Sequence, residues 1–303
     1  MSIIQVEHLR KSYKETMAVD DISFQVEEGE IFGMVGPNGA GKTTIIECIE
    51  SLRFPDSGKI SVLGLNPHKK NYLLKEKIGI QLQEANLFSR IKVWEALDLY
   101  ASLYRKSLDT RYLEELMGLR EKHNSFVGKL SGGQKQRLFI TLALINDPEV
   151  VFLDELTTGL DPQARRTMWK LVRDIQNQGK TVFLVTHFME EAEQLCDRVA
   201  IIDHGHMIAL DKPENLIASV NIESRILFTV KDFSVKKKLE KIPDVTRVKQ
   251  QNEWVTVYGR SEELVGEVVN LLIQEKIYFR RLKTEQPNLE DVFLHLTGRE
   301  IRD

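Results

Sequence analysis

The stretch Gly36-Pro37-Asn38-Gly39-Ala40-Gly41-Lys42-Thr43-Thr44 constrains this chain more than any other. Two glycines with four residues between them, followed by lysine and a hydroxyl, make a phosphate-cradling loop when a buried strand runs in and a helix runs out. Glu30 to Val35 is apolar enough for the strand, and Ile45, Ile46, Ile49 and Leu52 give the following segment helical periodicity. Glycine lets the loop curl its amides inward without side-chain clashes. Lys42 puts a point charge on the outer phosphates, Thr43 offers a hydroxyl to a magnesium ion, and the free amides at the helix start favour an anion. The pattern implies a nucleoside triphosphate site in an α/β fold.

At 303 residues there is room for one large or two smaller domains, and 42% hydrophobic with 29% charged residues is ordinary for a globular chain. A net charge of -3 gives no reason to expect a nucleic-acid partner. No apolar run approaches a membrane span, and Met1 to Arg10 lacks the pattern of a secretory signal, so a cytoplasmic location is expected. Cys48 and Cys196 fit no metal or redox spacing and are expected to be reduced thiols.

In chain order, residues 3–9 and 20–26 are strand-like, with a polar segment containing Tyr13 between them. Tyr13 admits two readings, a strand-end aromatic or a ring that stacks on adenine. Lys59 to Val62 and Lys77 to Gln83 read as further strands. Gln83, where the second meets a loop, is either plain polar surface or a ligand sensor. From Ile91 to Met117 the periodicity turns helical and glycine and proline almost vanish, which predicts a helical subdomain. Ser131-Gly132-Gly133-Gln134 then opens a helix with Ser131 as its cap, a second helix start suited to phosphate in a chain with one phosphate loop. Glu149 to Leu153 and Thr181 to Val185 have the form of strands buried on both faces. The first ends in Asp154-Glu155 and the second in Thr186-His187, which brings all three functional groups to the carboxyl edge of one sheet. There Asp154 suits magnesium and Glu155 suits the orienting of an attacking water.

With these motifs in hand, residues 1–218 resemble the ATP-binding subunits of ATP-binding-cassette (ABC) transporters. The phosphate loop at 36–44, the signature at 130–137 and the acid pair at 154–155 carry the likeness. The resemblance implies a P-loop cassette with a RecA-like core, an antiparallel β subdomain and a helical signature subdomain over about 88–145. It implies ATP and Mg2+ as ligands. Residues 36–44 and Tyr13 would hold ATP, with Tyr13 on adenine, and Thr43, Asp154 and Gln83 would hold the metal. Gln83 would also touch the membrane partner. Glu155 and His187 would be catalytic, His187 on the γ-phosphate, and Asp161 would belong to the loop after the acid pair. Two such subunits pair head to tail, so that Ser131, Gly132, Gly133 and Gln134 reach the ATP of the other. A homodimer on the inner face of the membrane, driving a separate permease, is the implied assembly. Leu156 replaces the family's usual proline, which leaves the turn before Asp161 less restricted.

Residues 219–303 read as a small α+β domain. Strands at 225–230, 245–250, 253–258 and 278–284 alternate with helices at 234–241 and 261–275, the split βαβ order of ferredoxin-like domains. A last helix is expected to present Leu289, Val292, Phe293 and Leu296 on one face. The ending from Asn288 to Gly298 resembles that of daunorubicin-type exporter ATPases, which implies export. No catalytic constellation occurs here, so a packing or assembly role is expected. Two other readings compete: a non-transport cassette ATPase on chromosomes or ribosomes, and a regulatory module without turnover. The short separation between Lys42 and Ser131 disfavours the first, and intact Glu155 and His187 disfavour the second.

Overall fold

The apolar runs that feed and flank the glycine loop become the middle of a parallel sheet in the computed structural model, which describes residues 1–69, 71–81, 87–220, 222–231, 235–261 and 263–298. The chain divides into two units, Met1–Pro213 and one that begins at Glu214. The first opens with β1 (Ser2–Tyr13) and β2 (Thr16–Glu27), then β3 (Ile31–Val35), α1 (Lys42–Ile49), β4 (Ser57–Val62), α2 (Asn71–Lys75) and β5 (Ile78–Gln81). Helices α3 (Val93–Ala101), α4 (Thr110–Leu116) and α5 (Gly132–Leu144) follow, with two 3-10 turns between the last two. The chain then runs through β6 (Val150–Asp154), α6 (Pro162–Asn177), β7 (Thr181–Thr186), α7 (Met189–Leu195), β8 (Arg198–Asp203) and β9 (His206–Asp211) to α8 (Pro213–Ser219), which from Glu214 onward belongs to the second unit.

Six strands form the main sheet in the order β5-β6-β7-β3-β8-β9, parallel except at the β8–β9 edge. Every residue of β3, β6 and β7 is buried, the condition that gives a strand an unbroken apolar run. Because β6, β7 and β3 are neighbours and parallel, the acid pair, His187 and the glycine loop all leave the sheet at one edge. A second sheet, β2-β1-β4, is antiparallel. Phe24 of β2 stacks on Phe32 of β3 at 5.3 Å, and Phe183 of β7 lies 5.3 Å from Phe32 and 5.7 Å from Phe152 of β6. This aromatic row joins the two sheets. Each such ring withdrawn from water contributes roughly 1.5–3 kcal/mol.

The polar segment around Tyr13 is part of the ladder. β1 and β2 extend until Tyr13 pairs with Thr16 across a two-residue turn. Residues 10–13 and 16–18 lack an apolar rhythm because this end of the hairpin is largely solvated. The helical subdomain is also less continuous than its periodicity predicts. α3 ends at Ala101, and Leu99 and Leu103 are exposed while Val93, Ala96 and Leu97 are buried.

The second unit contains β10 (Ser224–Val230), α9 (Val235–Leu239), β11 (Val245–Gln251), β12 (Trp254–Gly259), α10 (Leu264–Gln274), β13 (Phe279–Glu285) and α11 (Leu289–Thr297). Its sheet has the order β11-β12-β10-β13 with all pairs antiparallel, the arrangement a split βαβ sequence generates. Val235 and Leu239 of α9 and Leu264, Val268 and Leu272 of α10 pack on Ile226, Phe228, Val255 and Val257 of the sheet. The face expected of α11 is only partly right. Leu289, Val292 and Phe293 are buried within the chain, but Leu296 is 41% exposed and belongs to the outer side.

Candidate functional site

The glycine loop connects β3 to α1, as its spacing requires. Gly36 has φ 156° and Gly41 φ 105°, and a Cβ at either would drive into a carbonyl oxygen, of Ile202 at 2.1 Å or of Ala18 at 2.4 Å. Both positions therefore demand glycine. No side chain caps α1, so its first amides are free to meet an anion. Pro37, Asn38, Gly39 and Ala40 form the crown of the loop, with Thr43 and Thr44 in the first turn of α1. Lys42 is buried, and its Nζ donates to the carbonyls of Gly36 at 2.7 Å and Pro37 at 2.9 Å. Burial lowers its pKa, while Glu155 and Asp154 pull the other way.

Asp154, the last residue of β6, is buried and its Oδ1 has no hydrogen-bond partner. Burial, followed by the charge of Glu155, pushes its carboxyl up to about 6, against the pull of Lys42. Glu155 takes φ 50°, a strained conformation for a residue with a side chain, and its amide donates to Val185 of β7 at 2.9 Å. The turn aims its carboxylate back along the sheet edge. Oε1 lies 3.2 Å from His187 Nδ1, and Thr158 Oγ1 donates to Oε2 at 3.3 Å. The His187 ring packs on Phe188, 4.0 Å between centroids. A nucleotide-loop lysine, an unpartnered carboxyl, and a strained carboxylate joined to a histidine thus share one sheet edge.

The second helix start lies in a different cleft. Ser131 caps α5, its Oγ accepting from Gln134 N at 3.4 Å while Gln134 Oε1 accepts from Ser131 N at 3.0 Å. Ser131, Gly132, Gly133 and Gln134 line a cavity of about 240 Å³ together with Gly159, Leu160 and Asp161. No residue of 36–44 lines it. Asp161 Oδ1 caps α6 by accepting from Gln163 N at 3.0 Å and Ala164 N at 2.9 Å. Leu156 is fully buried, so packing and this cap fix the turn that the missing proline was expected to loosen.

Tyr13 ends β1 and is 37% exposed. Arg53 lies 5.1 Å and Lys11 5.7 Å from its centroid. Arg53 is held by Glu47 at 2.6 Å and Lys11 by Asp56 at 2.7 Å. Arg53 comes from beyond α1, which hides it in the sequence, while Lys11 stands only two residues before the ring on β1 and is the cation that spacing could have found. Arg137, the last residue of the 130–137 signature, has a structural role. Its Nε donates to Gly133 O at 3.4 Å and its Nη1 to Met117 O at 3.2 Å, tying the start of α5 to the end of α4. A cation one turn after a glycine pair is the signal that would have found it. Gln83 lies outside the described residues.

A family model described as ABC transporter matches residues 19–158. A Nod factor export ATP-binding protein I of Rhizobium etli is 38% identical over 309 residues, spanning 99% of this chain and 95% of that protein. Its counterpart in Rhizobium johnstonii is 40% identical over 98% of this chain and 96% of its own length. Among solved structures, an ATP-binding subunit of an ABC transporter superposes with a TM-score of 0.65 at 26% identity, covering 72% of this chain and 93% of that one. A dimeric ATP-binding cassette in a post-hydrolysis state, bound to ADP and Pi, gives a TM-score of 0.62 at 26% identity, with 69% and 98% covered. With near-complete relatives at this identity, the chain belongs to the ATP-binding subunits of ABC transporters, which hydrolyse ATP to power transport.

Proposed function

We propose that two copies of this chain close head to tail around two Mg-ATP and reopen after hydrolysis, driving a separate membrane permease for export from its cytoplasmic face. The observation that carries the pairing is at the second cleft. Gly132 and Gly133 have no positive φ, and a Cβ on Gly133 would make only an ordinary contact, 3.6 Å from Ala164. Nothing within the chain's own packing requires glycine at either position, whereas a phosphate arriving from a partner subunit would need the backbone uncovered. An identical pair would make the contact isologous, each cleft completing the other chain's phosphate loop.

In this reading, residues 36–44 hold the triphosphate and Tyr13 stacks on adenine. Lys42 exchanges its two carbonyl partners for phosphate oxygens. The buried, unpartnered Oδ1 of Asp154 fits a magnesium ion shared with Thr43, and the ion would neutralise charge on the phosphates. Among the described residues no cluster of three or more histidine, cysteine or acidic side chains could hold a metal, which suits an ion bound mainly by phosphate and water. Glu155 orients the attacking water and His187 reaches the γ-phosphate. Gln83 is assigned to the same ion and to the permease contact. Residues 219–303 are an accessory domain for packing or assembly.

No helix among the described residues is long and apolar enough to cross a membrane. Phe88 is 85% exposed, with Leu87 beside it half-buried, and both are assigned to the surface that receives the permease. The chromosomal or ribosomal reading is not favoured, since the near-full-length relatives are named export ATP-binding proteins. Phe88→Cys should cross-link to a cysteine in a cytoplasmic loop of a copurified polytopic membrane protein, and that protein should stimulate ATP hydrolysis. Isolation of the chain from membranes with no polytopic partner, and cross-links to ribosomal or chromosomal components instead, would reject the transport reading.

A further inference from the structure

Glu191, in the first turn of α7, is fully buried, and the hydrolytic reading gives it no role. A carboxylate removed from water is costly unless it is well partnered. Burial accordingly raises its pKa, and each partner lowers it again. Those partners come from three elements. Trp169 of α6 donates its indole N–H to Oε1 at 3.1 Å. The hydroxyl of Thr186, the last residue of β7, faces the carboxyl and also accepts from Phe188 N at 3.0 Å, so it brackets His187. The hydroxyl of Thr157, two residues after Glu155, stands near it as well, but neither hydroxyl bonds to the carboxyl: among the described residues Trp169 is its one side-chain hydrogen-bond partner, and Glu191 Oε2 and Thr157 Oγ1 have none. Arg165 of α6 adds a favourable charge while its guanidinium stacks over Phe188 at 4.5 Å and pairs with Glu190 at 3.9 Å.

We propose that Glu191 is a positioning residue for hydrolysis: its bond to Trp169 ties the start of α7, just after His187, to α6, which follows the turn from Glu155 to Asp161, and so holds Glu155 and His187 in register. The inference rests on the roles assigned above to Glu155 and His187. Its geometric content is specific. Those two side chains meet at 3.2 Å although they follow different strands, and Glu155 does so from a strained backbone. Thr157 and Thr186 lie two residues and one residue from them along the chain. A fully buried carboxyl at the start of α7, bonded to an indole of α6 with both hydroxyls close by, braces the two exits from behind. Small displacements of a catalytic pair change rate steeply while leaving substrate affinity nearly intact. Among the described residues no hydrogen bond or ion pair joins Glu191 to residues 36–44, so ATP binding should be spared.

Steady-state hydrolysis and ATP affinity, measured on the full-length chain, test this. Glu191→Ala should lower kcat by about tenfold or more with ATP affinity changed less than about threefold. Glu191→Gln keeps an acceptor for Trp169 and a polar group for both hydroxyls, and should stay within about threefold of wild type, because the role requires hydrogen bonds and shape. Trp169→Phe removes one tie and should lower kcat partially at unchanged affinity. It also keeps the test open if the alanine variant fails to fold. Wild-type kcat in Glu191→Ala or in Trp169→Phe overturns the proposal. So does a loss that appears equally in kcat and affinity and is not restored by glutamine, which marks a merely structural role. Glu155→Gln and His187→Ala serve as controls. If these hydrolyse ATP normally, the assignment of the hydrolytic pair has failed. If they are inactive and Glu191→Ala is normal, only the positioning role has failed.

Discussion

Replacing Asp154 with asparagine should stabilise the nucleotide- and magnesium-free chain while abolishing its hydrolysis. Burial and the neighbouring Glu155 raise this carboxyl from its ordinary 3.8 to about 6. A group with a raised folded pKa holds its proton more tightly when folded. Its favourable contribution is therefore full below the ordinary value and lost as pH rises through about 6. Two units correspond to about 3 kcal/mol lost by the wild type at neutral pH. Asparagine is never charged, so it avoids that cost and relieves Glu155, but it removes a counter-charge from Lys42, whose pKa Asp154 helps to support. A net gain of about 1–3 kcal/mol remains, or roughly 3–10 °C in melting temperature for a unit of this size. Thermal melts in EDTA should show the full gain at pH 8 and a shrinking one as pH falls through 6 toward 4. Added Mg-ATP should raise the melting temperature of the wild type more than that of the variant, because only a carboxylate offers the ion a charge. Equal melting temperatures at pH 8, or a gap that widens on acidification, would refute the argument that Asp154 is held strained for a cation.

Glu155→Gln should reduce steady-state phosphate release by about 100-fold or more while leaving ATP binding within a few fold, and a near wild-type rate would remove Glu155 as the water-orienting group. A purified mixed dimer of one Lys42→Ala chain and one Ser131→Arg chain should contain one intact composite site, whereas each mutant homodimer contains none. Activity absent from such mixed dimers, with exchange verified and one intact site known to turn over, would sink the assembly of the site from two chains. Truncation after Ser219 should leave ATP affinity within a few fold, since every assigned nucleotide residue lies in the first unit. Sedimentation should then report weaker pairing, and collapse of ATP binding in a truncated chain that is still folded would place part of the nucleotide site beyond that point.

The parts of the site that the sequence made legible are those where one residue's chemistry and its local geometry are bound together. Gly36 and Gly41 stand where a Cβ would collide with a carbonyl oxygen, so the loop could be read from spacing alone. The acid pair and His187 could be read because strands buried on both faces have unbroken apolar runs, and a polar residue ending such a run must lie at the sheet edge. The solvated end of the β1–β2 hairpin left no such mark, since backbone pairing there is indifferent to side-chain polarity.

What stayed hidden depends on neighbours distant along the chain. Arg53 reaches Tyr13 only after α1 is packed beside the antiparallel sheet, whereas Lys11, two residues before the ring on β1, is already within sight of the sequence. Glu191 looks in sequence like one of several solvated acids on α7, with Glu190 and Glu193 beside it, and only its complete burial and its bond to Trp169 distinguish it. Leu156 shows the same effect in reverse. The missing proline suggested a looser turn, yet the structure secures that turn from three other directions: the buried Leu156 side chain, the Glu155 amide bonded to Val185, and Asp161 capping α6. A local restraint absent from the sequence is thus replaced by tertiary ones, and these act on the backbone that aims Glu155 at His187.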